Sequence, residues 1–123
     1  MNPNIMLSIL RIVVGLLFLE HGSQKILHFP PGDHYPAIAT LAGLSGLIEL
    51  IGGTLFTLGL FTRVAAFIMS GEMAVAYFMA HAPHGFYPLI NKGELAVVYC
   101  FVYLYFVFAG GGAFSLDAAM HRK

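Results

Sequence analysis

Long apolar runs separated by short polar segments dominate the chain. A helix needs roughly 20 mostly apolar residues to cross the ~30 Å hydrocarbon core of a bilayer. Four stretches fit this requirement, at about residues 5–27, 41–60, 64–82 and 95–109. Because these stretches are continuously apolar and lack the period-two alternation of barrel strands, they predict an all-α bundle of four transmembrane helices.

The connectors between the predicted helices, at residues 29–36, 59–63 and 81–91, contain residues that end helices. Connectors of these lengths predict an antiparallel up-and-down bundle with both termini on the same side. Since neither a linker nor a repeat divides the chain, we expect a single membrane domain over residues 1–123. The first apolar stretch lacks a basic leader region and a small-residue cleavage site, so we expect it to be retained as a span.

The composition favours a membrane protein and argues against several function classes. Hydrophobic residues make up 59% of the 123 residues and charged residues 10%, whereas soluble domains average about 45–50% and about 25%. A water-soluble bundle with an unusually apolar exterior is the alternative. A formal net charge of zero argues against nucleic acid as a partner. The single cysteine, Cys100, excludes an intramolecular disulfide and a CxxC redox pair.

The basic residues favour one orientation in the membrane. In an up-and-down bundle, the side that holds the termini collects Arg11, Arg63, Arg122 and Lys123. The opposite side collects Lys25 and Lys92. An excess of basic residues marks the cytoplasmic side. We therefore expect both termini in the cytoplasm.

Ionisable residues inside the predicted spans carry the functional signal. Such a side chain costs about 2.5–3.5 kcal/mol at the helix centre on insertion scales, so it should face the bundle interior. Glu49 and Glu72 fall near the middle of two neighbouring antiparallel spans. Two ionised carboxylates at one depth would repel each other, so we expect at least one to be protonated or bound to a cation. This arrangement favours proton exchange with the head group of a ligand.

Helical spacing places further candidate residues near these glutamates. The first span has one stripe formed by Arg11, Gly15, Phe18, Gly22 and Lys25, with His21 beside it. The second span has a face formed by Glu49, Gly52, Gly53 and Phe56. The third has one formed by Met69, Glu72, Met73, Ala76 and Met79. We predict an apolar groove lined by Phe18, Phe56, Met69, Met73 and aromatic residues of the fourth span. His21 or Arg11 would set the charge of the carboxylates, and Lys25 would assist binding.

The spacing of the glutamate and histidine residues does not favour a metal site. Di-iron bundles use Glu-x-x-His pairs, which this sequence lacks. The pair His81 and His84 lies in a connector and is interrupted by Pro83. His21 and His81 share a depth, but two histidines are a weak basis for haem ligation. We predict no metal site.

The order and spacing of several short motifs resemble the DoxX family of small bacterial membrane proteins, over nearly the whole chain. The residues that carry the resemblance are Arg11, Gly15, His21-Gly22-x-x-Lys25, Glu49-x-x-Gly52-Gly53, residues 59–63, residues 71–81, Asn91-Lys92-Gly93-Glu94 and Ser115-Leu116-Asp117. The resemblance implies a four-helix bundle in a bacterial plasma membrane. It also implies an association with quinone-linked oxidoreduction.

The leading hypothesis is a redox-associated membrane subunit that binds a quinone-like amphiphile between its helices. Glu49 and Glu72 would exchange protons with the head group, and a partner oxidoreductase would supply electrons, because the sequence identifies no redox centre of its own. The competing hypothesis is a non-catalytic assembly protein whose buried charges are structural. A small proton-coupled transporter is a third, although helices without central breaks are unlike those of transporters. Small-residue ridges on the helices also favour a homo-oligomer.

Overall fold

A computed structural model describes residues 2–32 and 39–121 of the chain, and these residues are helical without any strand. The long helices are α1 (Pro3–Leu27), α2 (Leu41–Leu58), α3 (Thr62–Ala76) and, after a short α4 (Pro88–Asn91), α5 (Glu94–Ala109). A final helix, α6 (Leu116–His121), follows the glycines at 110–112. Half of the first connector, residues 33–36, lies outside the described residues, as do Arg122 and Lys123, on which the predicted orientation partly depends.

Local sequence explains where the first two helices begin and end. Asn2 accepts a hydrogen bond from the backbone N–H of Asn4, and Thr40 accepts one from Gly43 at 3.1 Å. Both are side-chain N-caps, which satisfy N–H groups that the first helical turn leaves unpaired. Gly59 ends α2 with a φ of +71°, a left-handed conformation that glycine adopts at little cost. The predicted boundaries of both helices are therefore close to the observed ones.

The third apolar stretch extends further than its pattern predicts. After α3 the chain continues through a π-helical turn, Tyr77–His81, and a 3₁₀ turn, Ala82–His84, so that helical structure covers much of the expected connector. Asn91, 4% exposed, holds the following loop: its side-chain amide donates to Tyr77 Oη at 3.0 Å and to Gly85 O at 2.9 Å. Neither α4 nor α6 was expected from the sequence.

Glycine allows α1 and α2 to pack closely. A Cβ atom on Gly22 would lie 2.7 Å from the carbonyl carbon of Glu49, and one on Gly53 would lie 3.0 Å from the Cα of Leu19. Small residues at such crossings let two backbones approach, which is how helices associate in membranes. Of the predicted stripe on α1, Arg11, Gly15, Phe18 and Gly22 are buried and Lys25 is 31% exposed, and Ser8 is buried on the same helix.

The exposed surface is apolar, as a lipid-facing surface should be. Leu16, Ile51, Phe67 and Phe101 are each about half or more exposed, and many other large hydrophobic side chains are exposed as well. Three helical stretches are long and apolar enough to cross a bilayer: Pro3–Leu27, Leu41–Leu58 and Thr62–His84. The fourth apolar helix, α5, is shorter, at 16 residues. The molecule is a helical, multi-pass membrane protein.

At one end of the bundle, charged side chains satisfy the backbone groups that helix ends leave unpaired. Asp117, at the start of α6, accepts hydrogen bonds from the N–H groups of Phe61 (2.8 Å) and Thr62 (2.9 Å), so it caps α3 from a distant part of the chain. Arg63 donates to the carbonyls of Val107 and Phe108 at the end of α5. These contacts place an anion at a helix N-terminus and a cation at a helix C-terminus, where each is favoured.

We expect Asp117→Ala to lower the free energy of unfolding by about 1–2 kcal/mol, the usual cost of removing an N-cap. Asp117→Asn should recover part of the loss, because the amide oxygen still accepts one hydrogen bond. Thermal unfolding of the purified variants in detergent measures both effects. If Asp117→Ala unfolds at the wild-type temperature, Asp117 does not stabilise the start of α3.

Candidate functional site

A cluster of four polar side chains lies at the opposite end of α2 from the Asp117 cap. Lys25 pairs with Glu49, with Nζ 3.0 Å from Oε1 and 3.1 Å from Oε2. Ser45 lies between the helices: its Oγ is 3.2 Å from Lys25 Nζ and 3.0 Å from Glu49 Oε2, and it also contacts Glu72 Oε2. The two glutamates expected to face each other therefore meet at one hydroxyl group. We call Lys25, Ser45, Glu49 and Glu72 the polar cluster.

The hydrogen bonds of Ser45 limit the protonation states of the two carboxyl groups in the polar cluster. A serine hydroxyl carries one hydrogen, so Ser45 cannot donate to both Glu49 and Glu72. Both contacts are hydrogen bonds only when one carboxyl group carries a proton and donates it to Ser45 Oγ. Because Glu49 is the ion-pair partner of Lys25, we infer that Glu72 is the carboxyl group that carries this proton. The polar cluster then contains one cation, one anion and one neutral acid, with no net charge.

An apolar groove of about 590 Å³ between α2 and α3 ends at this cluster. Lys25, Ser45 and Glu72 form its polar end, and the rest of its wall is aliphatic: Leu41, Ala42, Leu44, Ile48, Ile68, Gly71, Val75, Ala76, Met79 and Ala80. Ligand sites in proteins have volumes of about 300–1,000 Å³ and combine apolar walls with a few polar groups. This groove has both properties.

The expected position of the groove is corrected by the structure. Phe18, Phe56, Met69 and Met73 are between 0 and 8% exposed and belong to the core rather than to the groove wall. The ring of Phe18 lies edge-on to Tyr103 at a centroid distance of 5.0 Å. Phe56 makes similar contacts with Tyr103 and with another ring of α5. These side chains fill the bundle axis, so the space for a ligand lies outside it, between α2 and α3.

Arg11 and His21 also lie apart from the carboxyl groups. The guanidinium of Arg11, 2% exposed, donates to Gly111 O and, at 3.3 Å, to Thr57 O. Fourteen residues separate it from Lys25, which is about 21 Å along a helix. His21 is exposed, and its ring centroid is 6.4 Å from that of Tyr99. The cation beside the glutamates is therefore Lys25, whereas the contacts of Arg11 and His21 are with other residues.

Ser45 is the residue of the cluster that sequence reasoning missed. It precedes Glu49 by four residues, so the two share one face of α2. That spacing was visible in the sequence, but serine is common in membrane helices as a packing residue and gave no further signal. The structure identifies it as the link between the two carboxyl groups.

The fold and the cluster define a helical membrane protein with a buried, charged site between its spans, and comparison with known proteins identifies its family. Residues 6–82 match the DoxX family model, and the chain belongs to the DoxX family. An uncharacterized protein of Haemophilus influenzae is 47% identical over 95% of this chain and 92% of its own length. An uncharacterized membrane protein of Mycobacterium tuberculosis is 30% identical over 93% of this chain and 80% of its own length. No solved structure matches the chain.

Proposed function

We propose that the protein binds a quinone-like amphiphile in the groove between α2 and α3, with the head group at the polar cluster. The observation that carries the proposal is an apolar groove that ends at half-buried groups able to exchange protons. The aliphatic wall suits an isoprenoid or acyl tail. The polar end suits a head group with oxygen atoms.

The charges and hydrogen bonds of the cluster favour a neutral head group. Lys25 lines the groove and its side chain is 31% exposed, so its ammonium group is within reach of a ligand oxygen at the polar end. Glu72 Oε1 has no hydrogen-bond partner among the described residues, so it can accept a hydrogen bond from a ligand hydroxyl after a small rotation of the side chain. A quinone carbonyl fits the donor, and a quinol hydroxyl fits the acceptor.

A redox role follows if the bound quinone is reduced in place. Reduction to the quinol consumes two electrons and two protons. Glu72, the carboxyl group nearest the groove, would supply one proton, and the second would come from the aqueous phase. A further proton from the aqueous phase would then reprotonate Glu72. The electrons would come from a partner oxidoreductase. The protein would then be a subunit of a quinone-linked system rather than an enzyme by itself.

Binding of a short-chain ubiquinone analogue to purified protein in detergent tests the proposal. Val75→Trp places a large side chain in the groove. Because this side chain occupies space that the ligand would fill, binding should weaken at least about tenfold. Val13→Trp is the matched control: Val13 is 49% exposed on α1 and does not line the groove. Equilibrium dialysis gives the Kd of each variant. Undetectable binding to wild type, or an equal Kd for both variants, would contradict a quinone site in this groove.

A second function remains open, because the same contacts would also hold an assembly protein together. In that case the polar cluster links α1, α2 and α3, and its charges serve packing alone. Glu72→Gln separates the two functions. The glutamine side chain keeps a hydrogen bond to Ser45 but cannot supply a proton. A cellular sensitivity to quinones that changes in Glu72→Gln, at unchanged protein level, favours the redox role, whereas an unchanged sensitivity favours assembly.

We also propose a topology for the membrane domain. Contacts join Arg63 near the start of α3 to the end of α5, and Lys25 near the end of α1 to the start of α2. These contacts support four antiparallel spans, with α5 as the fourth. We place both termini in the cytoplasm of a bacterial plasma membrane, because Arg11 and Arg63 lie at the end of the bundle that holds the start of α1. The small residues on the helices leave a homo-oligomer as a further proposal.

A further inference from the structure

A second cavity, of about 580 Å³, lies at the other end of the bundle, where α3 begins and α5 ends. Thr62, Arg63, Ser115 and Asp117 form polar parts of its wall, and the backbone of residues 110–112 forms another. No group of the polar cluster takes part in it. The cavity is therefore separate from the groove between α2 and α3.

One buried polar group in the wall of this cavity, and a second behind the wall, lack a hydrogen-bond partner among the described residues. Thr62 is fully buried and lines the cavity, and its hydroxyl oxygen is unpaired. Arg11 is 2% exposed, and its Nε is unpaired. Its guanidinium donates to the carbonyl of Gly111, which is itself a wall residue. Because buried polar groups in folded proteins are nearly always paired, the hydroxyl of Thr62 indicates that a further hydrogen-bonding group occupies the cavity beside it.

Glycine keeps space open beside the donors. A Cβ on Gly111 would lie 2.8 Å from Thr62 Oγ1, and one on Gly110 would lie 3.2 Å from Arg63 Nη2. Arg63 uses Nη1 for the carbonyls at the end of α5. Any larger side chain at these two glycine positions would therefore crowd groups that a ligand could reach.

The charges around the cavity favour a ligand with one negative charge. Arg11 and Arg63 contribute two positive charges, and Asp117 contributes one negative charge. The carboxylate of Asp117 already binds two N–H groups at the start of α3. Among the described residues, these three side chains have a summed charge of +1. The location at the ends of membrane helices, beside the exposed side chains of Phe61 and Val64, corresponds to the head-group level of a bilayer.

We propose that this cavity binds a phosphate group, with Thr62 and Arg63 as its hydrogen-bond donors and Arg11 as the buried charge behind it. Arginine suits a phosphate because its guanidinium presents several N–H donors in one plane. A phospholipid head group and free inorganic phosphate share this chemistry. The two sources are distinguished by experiment.

The test compares wild type, Thr62→Val and Thr54→Val in detergent, titrated with phosphatidylglycerol or with inorganic phosphate. Thr62→Val is a mild change, since the hydroxyl it removes has no partner within the described structure. Thr54 is the matched control, because it is exposed on α2 and does not line the cavity. The shift in Tm with ligand concentration gives an apparent Kd for each variant.

We expect phosphatidylglycerol to raise the Tm of wild type and Thr54→Val with equal Kd, and Thr62→Val to bind about tenfold more weakly, the worth of one hydrogen bond. A rise with phosphatidylglycerol alone identifies a lipid, and a rise with inorganic phosphate that depends on Thr62 identifies a free phosphate. Arg63→Gln should bind more weakly than Thr62→Val in either case. The absence of a shift with both ligands, or an equal Kd for Thr62→Val and wild type, would overturn the proposal.

Discussion

Gly22→Val is expected to separate α1 from α2 and to lower the free energy of unfolding by about 3 kcal/mol, at the upper end of the usual cost of overpacking. The first atom added to Gly22 would lie 2.7 Å from the carbonyl carbon of Glu49 and 2.8 Å from the Cα of Leu50. Both are backbone atoms, so a side-chain rotation cannot relieve the clash. Thermal unfolding in detergent measures the effect.

Gly71→Ala is the control for this substitution. Gly71 lies on α3, and no atom lies within 4 Å of the position its Cβ would occupy. Alanine there should leave stability unchanged or raise it by up to about 1 kcal/mol, since glycine is a poor helix former. Equal unfolding temperatures for Gly22→Val and Gly71→Ala would mean that α1 and α2 do not pack as closely as described.

Lys25→Met is expected to have a similarly large effect for an electrostatic reason. It removes the cation from Glu49, which is 3% exposed. Removing one partner of a buried ion pair costs about 3–5 kcal/mol, because the other charge stays buried and uncompensated. Lys25 itself is 31% exposed, so we expect a loss near the lower value. Lys92→Met, at an exposed lysine, is the matched control.

A double variant shows whether the cost comes from the unpaired charge. Lys25→Met combined with Glu49→Met removes both ions, and apolar replacements of a buried pair are often neutral or stabilising. We therefore expect the double variant to be more stable than Lys25→Met alone. A double variant less stable than the single one would mean that Glu49 stabilises the bundle through contacts other than its ion pair.

Much of the bundle was predictable because a helix that crosses a bilayer must have a certain length and an apolar composition. Each span must be long and apolar, which is why residues 5–27 and 41–60 predicted α1 and α2 closely. Charged groups must avoid lipid, which is why Glu49 was expected to turn inward and is buried. The DoxX resemblance, drawn from the same residues, is confirmed by the family match.

The position of the groove was not predictable from periodicity. A helical repeat identifies the inward face of a span but does not show whether the space behind it is filled. Phe18 and Phe56 were expected to line a hollow, yet rings of α5 fill that space. Arg11 presented a similar difficulty. Its partners are the backbone carbonyls of Thr57 and Gly111. Because every residue has a backbone carbonyl, the sequence does not identify these two as the partners of Arg11.

The role of Asp117 as the cap of α3 could not be predicted from the residues near the start of that helix. Helix α3 has no side-chain cap from its own preceding residues, and Phe61 begins it with a φ of +51°. The missing cap comes from a residue 55 positions later than Thr62. Rules for helix ends search a few neighbouring positions, so they do not find a partner that only the folded chain brings near.

That distant cap has a consequence for biosynthesis. The ribosome makes α3 long before it makes Asp117, so the first turn of α3 enters the bilayer with its N–H groups unmet by the protein. This end of the bundle can therefore close only after the chain has been made as far as Asp117. Until then the first turn of α3 lacks the stabilisation that Asp117 gives it.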